Sequence, residues 1–442
     1  MTLRVAWLLA RAGTGSRAAV VLPIVAFAVV TALLLVVAGG AQAFWSWHDQ
    51  TAGVYQLLSA VALALLVVPL LTLGGSAARL SARRRDDRLS TLRLLGATPA
   101  TVARLTVLES TALALAGAVV GVAGYFALVP AVALIPFRAE ALGIPALILA
   151  PWAIAAAVAG VAVVAAVSAL IGLRQVVISP LGVRTRQNAP RLRWVRVAIG
   201  AAVIALALAL TNIVQVNVGI TVIAIVLGCL FGGTLAVLNL VGPFVLRLMA
   251  RRQVRRARTA AHLLAARTVL ESPQAAWRQV SGVSMTSFMA VFAGTGVAVL
   301  GAVSGSEGST ASDRALISDI GTGLTITLVI SFLMVACSAG VNQAADVFDR
   351  GSLYVNLGYL GMPRRVMDAA RERAVLWPLI VVAVGSAAIA ALVVLPLAGY
   401  SLVVAPLSLL TITLSIAAGI GLVWAALRLT RPVLTARLAA AA

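Results

Sequence analysis

RRRDDRLSTLRLLGATPATVARLTVLES, residues 83–110, is the longest strongly charged segment lying between two apolar spans, and an echo of it, FDRGSLYVNLGYLGMPRRVMDAARER, returns at residues 348–373. Laying Gly96 on Gly361 also lays Arg85 on Arg350, Leu92 on Leu357 and Leu95 on Leu360. Each copy is bounded on both sides by a run long and apolar enough to cross a bilayer. A polar segment that recurs in the same setting points to a duplicated membrane protein, and the rest of the chain is read outward from it.

Of the 442 residues, 62% are apolar and 11% charged, against about 25% charged in soluble domains. Apolar runs of about 20 residues recur, each able to cross about 30 Å of hydrocarbon as a helix. No alternating strand pattern appears, so the spans are read as helices, whose backbone groups are satisfied within the segment. Cys229 and Cys337 fall within apolar spans, where buried thiols are the simple reading and a disulfide framework is not expected.

The formal net charge of +21 comes from 34 basic residues, all of them Arg. In a soluble protein such a charge suggests nucleic acid. Here the arginines cluster in alternate loops, which is the positive-inside pattern of a membrane protein. With no Lys, the chain has no Walker A loop, whose Lys reaches the nucleotide phosphates. Any ATP-driven motor must therefore be a separate subunit.

In chain order, residues 1–17 read as a cytoplasmic interfacial helix carrying Arg4, Arg11 and Arg17. A first four-span repeat follows over 18–173, with spans near 18–38, 54–78, 107–129 and 151–173 and the charged segment at about 83–106 between the second and third. Residues 174–250 form a cytoplasmic linker and a two-span hairpin, near 195–211 and 219–246. A basic interfacial helix is expected over 251–279. The second four-span repeat covers 280–427, with spans near 280–303, 320–345, 373–395 and 405–427 and its charged segment at about 348–371; a cytoplasmic tail, 428–442, closes the chain.

Ten spans with both termini cytoplasmic leave only Arg138 and Arg314 of the 34 arginines outside. Trp45, Trp47, Trp152, Trp194, Trp277, Trp377 and Trp424 fall near span ends, as an interfacial aromatic belt requires. The expected class is thus an all-α integral membrane protein of ten transmembrane helices, two parallel four-helix repeats joined by a two-helix hairpin. Both repeats begin inside, so they are related by an axis along the membrane normal. Such a chain presents two similar cytoplasmic surfaces, which suits a two-fold symmetric partner.

The first charged segment reads as a short helix from about Asp86, with Leu89, Leu92, Leu95 and Val102 near one face. Asp86 and Asp87 sit in the first turn, where the helix dipole favours carboxylates, and Gly96 can close the helix in a left-handed cap. The apolar ridge can enter a groove on a soluble partner, with Arg85, Arg88 and Arg93 at its rim. In the second copy Arg350, Leu353, Leu357, Leu360 and Gly361 make the other such element, with Leu353 one position before the place that Leu89 takes in the first. The competing reading is a solvated juxtamembrane loop attracted to anionic lipid.

Other features carry less. His48, beside Asp49, is external and His262 cytoplasmic, too far apart in the chain to suggest a metal site. Ser304-Gly305-Ser306 has no nearby His and reads as a flexible loop. Gly117, Gly121 and Gly124, with Gly228, Gly232 and Gly233, read as places of close helix packing. Glu109 and Glu372 lie near cytoplasmic span ends, so no mid-span carboxylate offers itself to a coupling ion, and ion-coupled secondary transport is the weaker reading.

The stretch RDDRLSTLRLLGATPATVARLTVLESTALALAGAVVG, residues 85–121, resembles the C-terminal signature of FtsX-like permeases, the membrane subunits of the MacB/FtsX (type VII) ABC transporters. The matching features are Arg85-Asp86, the Leu92–Leu95 helix, the Gly96-Ala97-Thr98 turn, Glu109, and Gly117 with Gly121. In the second copy Leu360-Gly361-Met362-Pro363 keeps the turn, while Glu372 comes two residues early relative to Glu109. The resemblance implies a bacterial cytoplasmic-membrane permease whose coupling helices dock two copies of a cytoplasmic ABC ATPase. ATP and Mg would be held by that partner, and this chain, itself no enzyme, would bind no cofactor and no nucleic acid. An amphipathic substrate, such as a peptide antibiotic, lipid or drug, would be exported or extracted from the outer leaflet. The alternative is ATP-driven signalling to a cell-wall hydrolase or sensor kinase, through an extracytoplasmic or sensor partner. The four-plus-two-plus-four layout looks like the ten-span permeases of bacitracin-type resistance transporters, but without their large external domain.

Overall fold

A computed structural model describes residues 18–49, 51–64, 98–177, 220–304, 311–394 and 406–429. The described chain is helical apart from one two-residue hairpin. Helices α1 (Ala18–Trp45) and α2 (Ala52–Ala64) are followed by α3 (Pro99–Ala133). The strands β1 (Pro136–Phe137) and β2 (Glu140–Ala141) pair antiparallel, and α4 (Ile144–Leu147) and α5 (Pro151–Val177) come next. Beyond them lie α6 (Ile220–Arg256), α7 (Ala260–Glu271), α8 (Pro273–Ser304) and α9 (Ala311–Asp349). The last elements are α10 (Gly351–Tyr359), α11 (Arg364–Val393) and α12 (Pro406–Leu429).

Among the described residues eight helices are long and apolar enough to cross a bilayer, and they match the expected spans 1, 3, 4 and 6 to 10. Span 5 lies outside the described residues, and span 2 is described only as far as Ala64. The expected interfacial segment 251–279 is divided among the end of α6, all of α7 and the start of α8. The chain forms two compact units, one of Met1–Arg186, Met334–Leu360 and Ala426–Ala442, the other of Gln187–Leu333 and Gly361–Ala425. The second four-span repeat thus contributes to both.

In the first unit α1 lies along α3 and α3 along α5. The α1–α3 seam is close because α3 presents glycine where α1 presents backbone. A Cβ on Gly117 would sit 2.6 Å from Phe27 Cβ and 2.7 Å from the Ile24 carbonyl oxygen, and one on Gly121 2.6 Å from the Ala28 carbonyl oxygen. Small residues let helix backbones approach in lipid, where dispersion replaces the hydrophobic effect as the driving force. Phe27, Ala114, Val161 and Ala165 continue this seam to α5, and Ala26 and Val30 meet Val341 and Ala345 of α9. At the Tyr125 level a third cluster gathers Leu35, Val36, Val129, Leu147 and Leu149.

That last cluster fixes the link from α3 to α5. The fully buried Tyr125 hydroxyl donates to the Leu147 carbonyl at 2.5 Å and accepts the Leu149 N–H at 3.0 Å. Gln42 of α1 adds a bond from Nε2 to the Ile148 carbonyl at 3.2 Å. Buried backbone polar groups need such partners wherever no helix or sheet supplies them.

In the second unit α8 packs on both α6 and α11, and α7 lies on α6 and α11 through Ala261, Ala265, Ala266 and Val269. Phe231, Phe288 and Phe292 form an aromatic triplet with centroids 5.4 to 5.6 Å apart. Trp277, expected at a membrane surface, is instead buried: its indole N–H donates to Asn239 Oδ1 at 2.7 Å. Its ring occupies the space a Cβ on Gly242 would need. Among the described residues no atom lies within 4 Å of such a Cβ at Gly228 or Gly232, and the close approach on this helix is at Gly242.

Candidate functional site

Arg85, Asp86, Leu89, Leu92, Arg93, Leu95 and Gly96, the first expected docking element, lie outside the described residues. The structure resumes at the turn that follows them. Thr98 is extended, at φ −72° and ψ 151°, and its hydroxyl accepts the Thr101 N–H at 3.3 Å with Pro99 in the first turn. This is a helix start of the favoured kind, an oxygen-bearing cap followed by a proline whose missing N–H costs nothing there. Val102 therefore belongs to α3 and not to the ridge before the turn.

The second element, at Arg350–Gly361, is described. After α9 ends at Asp349, α10 forms a separate short helix whose N-cap, Arg350, has φ −102° and ψ 16°. Arg350 N donates to the Asp346 carbonyl at 3.0 Å, and Tyr354 N donates to the Arg350 carbonyl at 3.1 Å, so the two helices are joined by a single offset residue. Leu360 N bonds the Asn356 carbonyl at 3.1 Å, and Gly361 takes φ +80°. Gly361 thus adopts the left-handed conformation that glycine most readily supplies, and the helix stops. Pro363 then starts α11, its carbonyl accepting the Val366 N–H at 2.9 Å.

Leu353, Leu357 and Leu360 are spaced i, i+4 and i+7 and share one face of this turn of chain. Leu353 is 41% and Leu360 82% exposed, with Tyr359 beside them at 77%, while Leu357 is half-buried and Tyr354 buried. The structure thus brings together the five expected residues of this copy as one short capped helix with an apolar ridge.

A second constellation was not legible as such from the sequence. Phe137-Arg138-Ala139-Glu140 closes the β1–β2 hairpin with Arg138 at φ 57° and Ala139 at φ 64°. Arg138 Nη2 donates to Asp49 Oδ1 at 2.9 Å, to Asp49 Oδ2 at 3.0 Å and to the Thr51 hydroxyl at 2.8 Å; that hydroxyl in turn donates to Asp49 Oδ2 at 2.7 Å. The guanidinium lies 3.9 Å from the Trp47 ring centroid and 4.9 Å from that of Tyr55. Phe44 and Phe137 complete the aromatic group. A lone arginine beyond the Arg-rich loops was the available signal, since an isolated charge beside a bilayer calls for a partner.

The Thr51 hydroxyl, and after it Arg138, hold the Asp49 carboxyl down at about 2, below its usual 3.8. Because the folded value is the lower one, the contribution to stability is present above the usual value and disappears as pH falls toward 2. Melting temperatures of the wild type and Asp49→Asn are expected to differ at pH 5 and to converge toward pH 2. A gap that persists unchanged at pH 2 would dismiss the ion pair as its source.

Residues 58–181, which take in the first charged segment, α3 and α5, match the family model described as FtsX-like permease C-terminal. No curated protein matches the chain.

Proposed function

Taking as premise that this chain is an FtsX-like permease, we propose that it is the membrane subunit of an ABC transporter driven by two copies of a cytoplasmic ATPase. The family consists of non-catalytic transport subunits that generally work with such ATPases. The observation that carries the proposal furthest is the α10 ridge. It is a short helix between two long membrane helices, stopped by a left-handed glycine, with Leu353 and Leu360 left uncovered. An apolar ridge with a flanking arginine suits a groove on a soluble partner, and a short rigid helix between spans transmits that partner's movement.

The substrate class proposed is amphipathic, a peptide antibiotic, lipid or drug moved outward or drawn from the outer leaflet. ATP and Mg belong to the partner in this reading. In this reading both docking segments and both termini face the cytoplasm, an orientation that the clustering of arginine in alternate loops favours, and the membrane is the cytoplasmic membrane of a bacterium.

Two substitutions test the docking assignment. Leu353→Asp with Leu360→Asp is expected to lower the ATPase co-purified with the membrane-inserted protein at least tenfold, the loss typical of removing an apolar anchor. Undiminished recovery from protein that elutes normally in detergent would reject the ridge as the docking surface.

A further inference from the structure

The exposed face of α6 changes character within one turn. Val245 and Leu248 are 37% and 43% exposed, and the same face continues through Arg252, Arg255 and Arg256, all exposed. At 100° per residue these five lie within an arc of about 100°. The helix does not break between the apolar and the basic part: α6 runs unbroken from Ile220 to Arg256, and its spanning window ends at Arg256. Arg252 lies about 6 Å and Arg255 about 10 Å along the axis beyond Leu248. A bilayer's polar headgroups add about 5–7 Å to each side of its hydrocarbon. The face that meets acyl chains therefore becomes arginine where the phosphates begin.

We propose that this end of α6 is a binding belt for anionic phospholipid headgroups, made by Arg252, Arg255 and Arg256 and extended by Arg251 and Arg258. Three further features favour it. Among the described residues none of these arginines lies within salt-bridge distance of a carboxylate, so the charge is available to a ligand. The inner side of the same turn is occupied by α7, whose Ala261, Ala265, Ala266 and Val269 are buried in the packing with α6 and α11, so the helix end is held and its arginines are turned outward. Arg364 and Arg365, exposed in the first turn of α11, add positive charge from a helix that also contacts α7.

An acidic protein partner fits less well. A protein interface needs a desolvated apolar centre, and around these arginines the exposed large apolar side chains are Val245 and Leu248, already on the hydrocarbon-facing stripe, and Leu263. Nucleic acid would require the arginines to face away from the bilayer, with aromatics for stacking. A row of phosphodiesters asks only for donors at the right depth, and arginine gives planar, bidentate ones.

The test uses the full-length chain in a neutral detergent, with phosphatidylglycerol and phosphatidylcholine of matched acyl chains as probes and native mass spectrometry as the readout. The wild type is expected to retain phosphatidylglycerol at least tenfold more strongly, a preference weakened by 0.5 M salt. Arg252→Gln with Arg255→Gln and Arg256→Gln should lose about tenfold or more of that preference, since each basic residue near an anionic surface contributes severalfold. Arg314→Gln, at the start of a different spanning window, should keep it. Circular dichroism and the melting curve in neutral detergent establish that the triple variant is folded. Equal retention of the two lipids by the wild type, or an unchanged preference in the folded triple variant, overturns the proposal. So does displacement of bound phosphatidylglycerol by an equal concentration of inorganic phosphate, which would make the site one for free anions.

Discussion

Replacing Gly121 by valine is expected to force α1 away from α3 and to be the most damaging single substitution in the first unit. A Cβ there would lie 2.6 Å from the Ala28 carbonyl oxygen, 2.7 Å from Thr31 Cβ and 3.2 Å from Ala28 Cα. Two of those three atoms are backbone and the third is fixed to it, so no rotamer change relieves the overlap. The helices must separate, and Gly117, one turn earlier against Ile24 and Phe27, loses its contact as well. Overpacking of this kind costs about 1–3 kcal/mol, to which the lost dispersion along the seam adds. Thermal unfolding in detergent measures it, with Gly160→Val as the control, because a Cβ on Gly160 meets nothing within 4 Å. Equal melting temperatures for the two variants would show that the α1–α3 seam tolerates side chains.

The second large effect is expected at Tyr125→Phe. The substitution removes one oxygen yet strands two backbone groups, the Leu147 carbonyl and the Leu149 N–H, in a cluster where both leucines and Val129 are buried. An unsatisfied buried polar group costs about 1–3 kcal/mol, so with two of them the loss should be about 2–6 kcal/mol, several times that of removing an exposed phenol. Limited proteolysis should then cut first between residues 142 and 150, because that segment is held chiefly by this hydroxyl and by Gln42. A melting curve within about 0.5 kcal/mol of wild type would mean that water satisfies the two groups instead.

Both effects bear on how far the sequence carries. The spans were readable because hydrocarbon admits few solutions: about 20 apolar residues and a helix. Gly117 and Gly121 were readable for the same reason, since two glycines one turn apart in an apolar helix have little use except close approach. Gly361 was readable as a stop because few other residues take φ +80° cheaply. Gly228 and Gly232 look identical on paper, yet nothing described packs there, while Gly242 receives the Trp277 ring. Periodicity says which face a glycine occupies and is silent about what opposes it. Trp277 misled for a related reason, since interfacial tryptophan is common and only Asn239, 38 positions away, makes burial of its N–H acceptable. Asp319, just ahead of the span expected to begin near residue 320, is buried on α9, which starts at Ala311. Local charge density does not reveal how far a helix extends past its apolar window.

The Arg138 hairpin has a consequence for the order in which the first unit assembles. Arg138 and Ala139 both hold left-handed backbone angles that cost a residue with a Cβ about 1–2 kcal/mol each, and a two-residue ladder returns little of it. The hairpin is therefore not stable by its own sequence. It exists because Asp49, Thr51 and the faces of Trp47 and Tyr55 receive the arginine, and those residues must be in position first. The connection between α1 and α2 thus acts as the template on which the connection between α3 and α5 is shaped, and any movement that withdraws that template leaves the hairpin without a reason to persist.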